Sequence, residues 1–254
     1  MNIIVCLKQT FDTEEKITLT NGRVNEEGVN YILNPYDEYA VEEALRLKEE
    51  YGGEVTAITV GPERTVSALQ TALAMGVDHA VQVLCENEEL DQFGTAAILA
   101  AVLKNRPFDL ILTGYVSVDK GTGQIAPRLA EALDLAQVTS ITKLELVGER
   151  KVVLHRDAEG DTEIIEAQLP LIVSAQQGLN EPRYPSLPGI MKAKKKPIEK
   201  LSLGEIGLSG KLSKTITVEV FLPPKKAAVK ILQGSLQEQV RELVVLIRNE
   251  AKVV

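Results

Sequence analysis

Short apolar runs alternate with amphipathic stretches through the first half of the chain, and this alternation limits the fold more than any other feature. In order they read IIVCLK, EYAVEEALRLKEEYGG, EVTAITVG, TVSALQTALAMG, HAVQVL, TAAILAAVLKN, FDLILTG and QIAPRLAEALD. Runs that are apolar on both sides need cover on both faces, and the longer segments between them supply it as helices. The expected class is therefore α/β: an open, mostly parallel sheet with helices on both faces. Local chemistry agrees at the first helix. Asn34 suits an N-cap and Pro35 the first turn, while Ala40, Val41, Ala44, Leu45 and Leu47 form an inward stripe that ends at Gly52-Gly53. On the outer side, most of Glu42, Glu43, Glu49 and Glu50 read as a solvated face. Asn21-Gly22 between β-prone residues predicts a hairpin excursion.

After Asp134 the pattern changes to β-rich runs broken at Gly148 and at Ala158 to Asp161, which predicts antiparallel strands extending the sheet. A protruding loop follows at 180–200, and the chain closes with an amphipathic stretch from Ser235 to Lys252. The expected organisation is one nucleotide-binding α/β domain over 1–227 and a C-terminal helical arm over 228–254.

Charge and cysteine usage remove several function classes. A formal net charge of −8 disfavours nucleic acid and anionic membranes, and 4% aromatics without Trp gives no stacking platform for single strands. Cys6 and Cys85 lie in apolar runs without metal-ligand spacing, so no metal is expected and a reducing compartment is. With no signal-like or membrane-length segment in view, the expected location is the cytoplasm. No nucleophile elbow or acid–base pair stands out; His79 and His155 read as structural or surface histidines, and an enzyme is not expected.

Ligands of open α/β sheets bind beyond the carboxyl ends of the strands, which directs attention to KQTFDTEE, NPYDEYA, VGPER and TGYVSVDKGTGQIAPR. In the last of these a strand runs into Gly114, then Asp119, Gly121, Thr122 and Gly123, with a helix starting near Gln124. Small residues at a helix start let backbone N–H groups approach a phosphate. It is neither a Walker A loop nor GxGxxG, and spacing leaves phosphate binding and a plain connection both open. A second candidate is NEPRYPSLPGIMKAKKKPIEK, where Pro182, Pro185 and Pro188 stiffen a segment carrying Leu187, Ile190 and Met191 beside Lys192, Lys194, Lys195 and Lys196. An apolar anchor with a basic collar suits docking to an acidic partner. Packing of the same residues onto their own domain is the other reading.

Four separated stretches, NPYDEYAVEEALRLKE, TALAMGVD, DLILTGYVSVDKGTGQIAPRLAE and RDAEGDTEIIEAQLPLIVSA, together with LNEPRYPSLPGIMKAKKKPIE, resemble the β subunit of electron transfer flavoprotein in order and over essentially the whole chain. The resemblance implies a heterodimer with an α subunit that carries redox-active FAD, while the β subunit holds a structural AMP. Such complexes carry electrons from acyl-CoA dehydrogenases and other flavin dehydrogenases to a quinone oxidoreductase or equivalent acceptor. It also implies nucleotide contacts at Cys6, Asn34, Pro35, Tyr36, Asp37, Val60 and from Gly114 to Ile125, chiefly Asp119, Gly121, Thr122, Gly123 and Gln124; Lys120 departs from the family's pattern and adds a cation near the expected phosphate. The dehydrogenase anchor would be Leu187 with Pro188, Ile190, Met191 and the lysines; Asp157 would face the flavin domain, and the final helix would wrap the α subunit. A bifurcating, NADH-linked branch of the family places a second FAD where AMP otherwise sits, and stands as the alternative.

Overall fold

The computed structural model describes residues 1–86, 90–210, 212–224 and 229–253. By their contacts these residues form two compact units, Met1–Ile17 with Asn25–Val218, and Thr18–Val24 with Glu219–Val254. The expected boundary at 227/228 lies outside the described residues.

In chain order the elements are β1 (Asn2–Cys6), β2 (Gln9–Phe11), β3 (Leu19–Thr20), β4 (Arg23–Val24), β5 (Tyr31–Leu33), α1 (Pro35–Tyr51), β6 (Glu54–Gly61), α2 (Val66–Met75) and β7 (His79–Leu84). They continue with α3 (Gln92–Leu103), β8 (Leu110–Gly114), α4 (Ile125–Leu133), β9 (Ala136–Leu146), β10 (Lys151–Ala158), β11 (Asp161–Gln168), β12 (Leu171–Ala175), α5 (Leu187–Ala193), β13 (Glu199–Ser202) and α6 (Leu236–Leu246).

Among the described residues, one nine-stranded sheet runs β11-β10-β9-β12-β8-β1-β6-β7-β13. From β9 to β13 every neighbouring pair is parallel, while β10 runs antiparallel to both β9 and β11. This is the expected α/β fold: a parallel sheet with an antiparallel extension. β1 shows why both faces must be covered. Ile3, Val5 and Leu7 enter the core under α1 and α2, and the intervening Ile4 and Cys6 enter the core under α3 and α4. Each such side chain contributes roughly 1.5–3 kcal/mol by leaving water.

The stripe expected on α1 is buried as read from the sequence, and the helix stops where Gly52 N–H donates to the Lys48 carbonyl. Its outer face departs from expectation: Glu42 and Glu43 are buried, at 3% and 7% exposure. The cause is a downstream segment that lies across them. The second unit contains the expected hairpin, β3 paired with β4 through Asn21 and Gly22, both at positive φ. It also contains α6, opened by a Ser235/Glu238 capping box. That helix leaves Leu236, Val240, Leu243, Val244 and Val245 exposed.

Candidate functional site

β1 and β8 are neighbours at the centre of the sheet, and the chain leaves them in opposite directions. From β1 it passes through α1 to β6 on one side; from β8 it passes through α4 to β9 on the other. The crevice beyond their carboxyl ends is therefore the topological switch point, where open α/β sheets bind ligands.

Asp37, in the first turn of α1, sits at the floor of this crevice. Its Oδ2 accepts the Lys8 N–H at 2.7 Å and its Oδ1 accepts the Gly114 N–H at 3.0 Å, so one carboxylate ties the ends of β1 and β8 together. Burial pushes the Asp37 carboxyl up to about 7, against the lowering effect of those N–H donors and of Lys8. Gly114 is required for space: a Cβ there would lie 2.3 Å from Asp37 Oδ1 and 2.8 Å from two Tyr36 atoms.

Asn34 holds the loop that follows. Its Nδ2 donates to the Val116 carbonyl at 2.9 Å and its Oδ1 accepts the Val118 N–H at 3.1 Å. Sequence reading made Asn34 the cap of α1; its side chain makes no cap hydrogen bond, because both ends of the amide are committed to the β8 loop. The loop then turns back to place Asp119 against Lys8, with Nζ 2.7 Å from Oδ1 and 2.5 Å from Oδ2. Burial acts to raise the Asp119 carboxyl, but the Lys8 ammonium outweighs it and the net shift is downward.

Lys120 and Gly121 donate their N–H groups to the Ser117 carbonyl, closing a turn. Gly121 at φ +62° and Gly123 at φ +60° occupy the left-handed region that favours glycine. Gln124 is the cap of α4, and its Oε1 accepts from Arg128 Nε at 3.0 Å. Lys120, Gly121 and Thr122 face solvent, while Gly123, Gln124 and Ile125 are half-buried. Tyr36 and Tyr115 form an edge-to-face pair across the crevice, with ring centroids 6.4 Å apart.

Not every expected residue joins this cluster. The Cys6 side chain is packed in the α3/α4 core, where burial and then Asp37 push its thiol up to about 12, and Val60 packs against the same core. Asp157 lies exposed near the end of β10. The register Arg156–Ile141–Ala175–Gly114 sets it about level with the carboxyl end of β8, three strands out, below the part of the β9–β10 hairpin that extends past that level. Lys8 heads the KQTFDTEE loop that the sequence singles out, but its pairing with Asp119 was not read from the sequence.

The segment after β12 is strapped to the domain rather than looping free. Asn180 Nδ2 donates to the Tyr39 carbonyl at 3.0 Å and to Glu43 at 2.9 Å. Arg183 contacts Glu42 through Nε at 2.8 Å and Glu49 through a terminal nitrogen at 2.5 Å, two turns apart on α1. Burial acts to raise the Glu42 carboxyl, yet Arg183 overrides it and holds it below the usual range. α5 then seats on α2, so closely that a Cβ on Gly189 would stand 2.4 Å from the Ala74 carbonyl oxygen.

Outward from α5 stand Leu187 at 79% and Met191 at 67% exposure, with Tyr184 just upstream at 96%. Pro188 and Ile190 are exposed with them, as are Lys192, Lys194 and Lys195. Lys196 does not belong to this collar, because its Nζ donates to the Val77 carbonyl at 2.6 Å and is half-buried.

Comparison with known proteins decides the family. The model described as "Electron transfer flavoprotein domain" matches residues 21–206. The electron transfer flavoprotein subunit beta of Bacillus subtilis is 55% identical, covering all of both chains. This chain belongs to the electron transfer flavoprotein β-subunit family. The human subunit beta is 37% identical over 90% of this chain and 91% of its own. A subunit of the caffeyl-CoA reductase-Etf complex of Acetobacterium woodii is 37% identical over 94% of this chain and 95% of its own. The family role is that of an electron carrier whose complex holds flavin, and its β subunit pairs with an α subunit. Among the described residues no helix is long and apolar enough to cross a membrane.

Proposed function

We propose that this chain is the docking and scaffolding subunit of a two-subunit electron carrier, and that the β1/β8 crevice holds the adenine nucleotide AMP. The observation that carries the nucleotide reading is the convergence of Asn34, Asp37, Gly114 and Asp119 at the switch point, with two left-handed glycines leading into α4. The residues present fit the group. Gly114 allows close backbone approach, the amino end of α4 with Lys120 favours a monoanionic or dianionic phosphate, the Lys8 charge being paired with Asp119, and Tyr36 and Tyr115 offer aromatic surface to a base. Bound there, AMP supplies no redox chemistry; it fills the crevice and ties α1 to the glycine loop. Cys6 and Val60 support its floor from the α3/α4 core, and Asp157, exposed on β10 about level with the end of β8, faces the flavin domain.

Electrons would enter at FAD on the α subunit from acyl-CoA dehydrogenases or other flavin dehydrogenases and leave towards a quinone oxidoreductase, in the cytoplasm of a bacterial-type cell. The exposed row on α6 would pack on the α subunit, and Leu187, Ile190 and Met191 would anchor the dehydrogenase. The test is to co-express this chain with its α subunit, denature the purified complex and quantify released nucleotides by chromatography. One AMP and one FAD per heterodimer is the expected result. Two FAD would place the protein in the bifurcating branch, and no adenine nucleotide beyond the α-subunit flavin would refute the assignment of the crevice.

A further inference from the structure

We infer that Arg183 is a positioning residue for docking: by clamping Glu42 and Glu49 it fixes the segment 180–186 along α1 and so presents Leu187 and Met191 on α5 in the orientation a partner meets. This rests on the proposed docking role of α5. The segment between Gly178 and α5 has no helix or strand of its own, so side chains must fix its path. Arg183 does most of that. Its backbone N–H and Nε both reach Glu42 Oε2, at 3.1 and 2.8 Å, one terminal nitrogen reaches Glu42 Oε1 at 3.1 Å, and both terminal nitrogens reach Glu49 at 2.5 and 3.1 Å.

The planar guanidinium makes this possible. Its donors form a rigid fork that can serve two carboxylates in one plane, which a lysine ammonium cannot do. Glu42 and Glu49 are seven residues apart and share a face of α1, so the fork spans two turns of one rigid helix. Asn180 adds a second fastening on Tyr39 and Glu43, and beyond Ser186 the contact of Gly189 with Ala74 seats α5 on α2. The strap is therefore held on α1 before the docking helix and on α2 through it. Leu187 begins α5 four residues after Arg183, and its exposed side chain takes its direction from both. A segment ordered in advance does not pay its ordering entropy when the partner arrives.

Loss of the clamp should then weaken encounter with the partner and leave electron transfer within the formed complex alone. The assay uses the purified two-subunit complex with an acyl-CoA dehydrogenase and its substrate, measuring reduction at varied complex concentration. Arg183→Gln is expected to raise KM for the complex at least ~tenfold, the factor given by ~1.4 kcal/mol, with kcat unchanged. Arg183→Lys should fall between Gln and wild type, because it restores charge without the fork. Glu49→Gln removes the more exposed arm of the clamp without baring the buried Glu42, and should raise KM by a smaller factor; it serves if Arg183→Gln folds poorly.

The deciding comparison is a double variant. If Arg183 acts through Leu187, then Arg183→Gln added to Leu187→Ala raises KM little beyond Leu187→Ala alone. Full additivity, or an unchanged KM in Arg183→Gln and Glu49→Gln while Leu187→Ala raises it, overturns the positioning role and leaves the docking role standing. An unchanged KM in Leu187→Ala overturns both.

Discussion

Gly114→Ala against Gly121→Ala separates a glycine needed for space from one needed for conformation. At Gly114 the new Cβ would lie 2.3 Å from Asp37 Oδ1, about 1.1 Å short of the 3.4 Å at which ordinary contact begins. Tyr36 closes the other direction, with two atoms at 2.8 Å. The carboxylate must therefore move, and a shift of that size breaks the bonds from the Gly114 and Lys8 N–H groups. Above pH ~7, where the Asp37 carboxyl is charged, its hydrogen bonds contribute about 1.5–3 kcal/mol each, so the expected loss there is about 3–6 kcal/mol, with the nucleotide lost as well. At Gly121 no atom lies within 4 Å of the new Cβ, and only the left-handed backbone at φ +62° resists it. That costs roughly 1–2 kcal/mol. Urea unfolding of the two purified complexes, followed by circular dichroism, reads the gap directly, and chromatography of the released nucleotides reads the site. Equal stability of the two variants, or full nucleotide content in Gly114→Ala, would refute the claim that Asp37 joins β1 and β8 through this close approach.

Two further predictions concern the same crevice. Gly123→Val should leave the complex folded but without nucleotide, since a branched side chain at φ +60° forces the loop before α4 to rearrange; a full complement of nucleotide would remove that loop from the site. Asp37 has a pKa raised from 3.8 to about 7 by burial, so its contribution to stability is fully present below about 4 and is lost as pH rises towards 7. Relative to Asp37→Asn, wild type should therefore lose up to ~4 kcal/mol of unfolding free energy across that window; a difference independent of pH would refute it.

The sequence was most informative where a periodic pattern met a simple burial rule. The stripe from Ala40 to Leu47, the stop at Gly52 and the Asn21-Gly22 hairpin all followed from local chemistry, and the structure contains each. The glycine loop after β8 was visible too, because its residues are contiguous. What stayed hidden required pairing across the chain. Glu42 and Glu43 looked like solvent-facing acids because the residues that cover them, Arg183 and Asn180, lie about 140 positions away. Asn34 is the cap residue of α1 as read, but the use of its amide stayed hidden for the same reason: its side-chain partners Val116 and Val118 are not its neighbours in sequence. Lys8 was passed over because nothing local marks a lysine as the partner of Asp119.

The place of β12 in the sheet carries a consequence for synthesis of the chain. It lies between β8 and β9, yet it is made after β9, β10 and β11. A nascent chain that has not reached Ala175 must leave a slot in the middle of the sheet, with the edges of β8 and β9 both unpaired. Such edges template association with other chains until they are filled, and closing the slot depends on contacts distant in sequence, which form slowly. The slot is closed late, by insertion of a five-residue strand whose every residue is buried, and β13 joins the far edge of the sheet only after it.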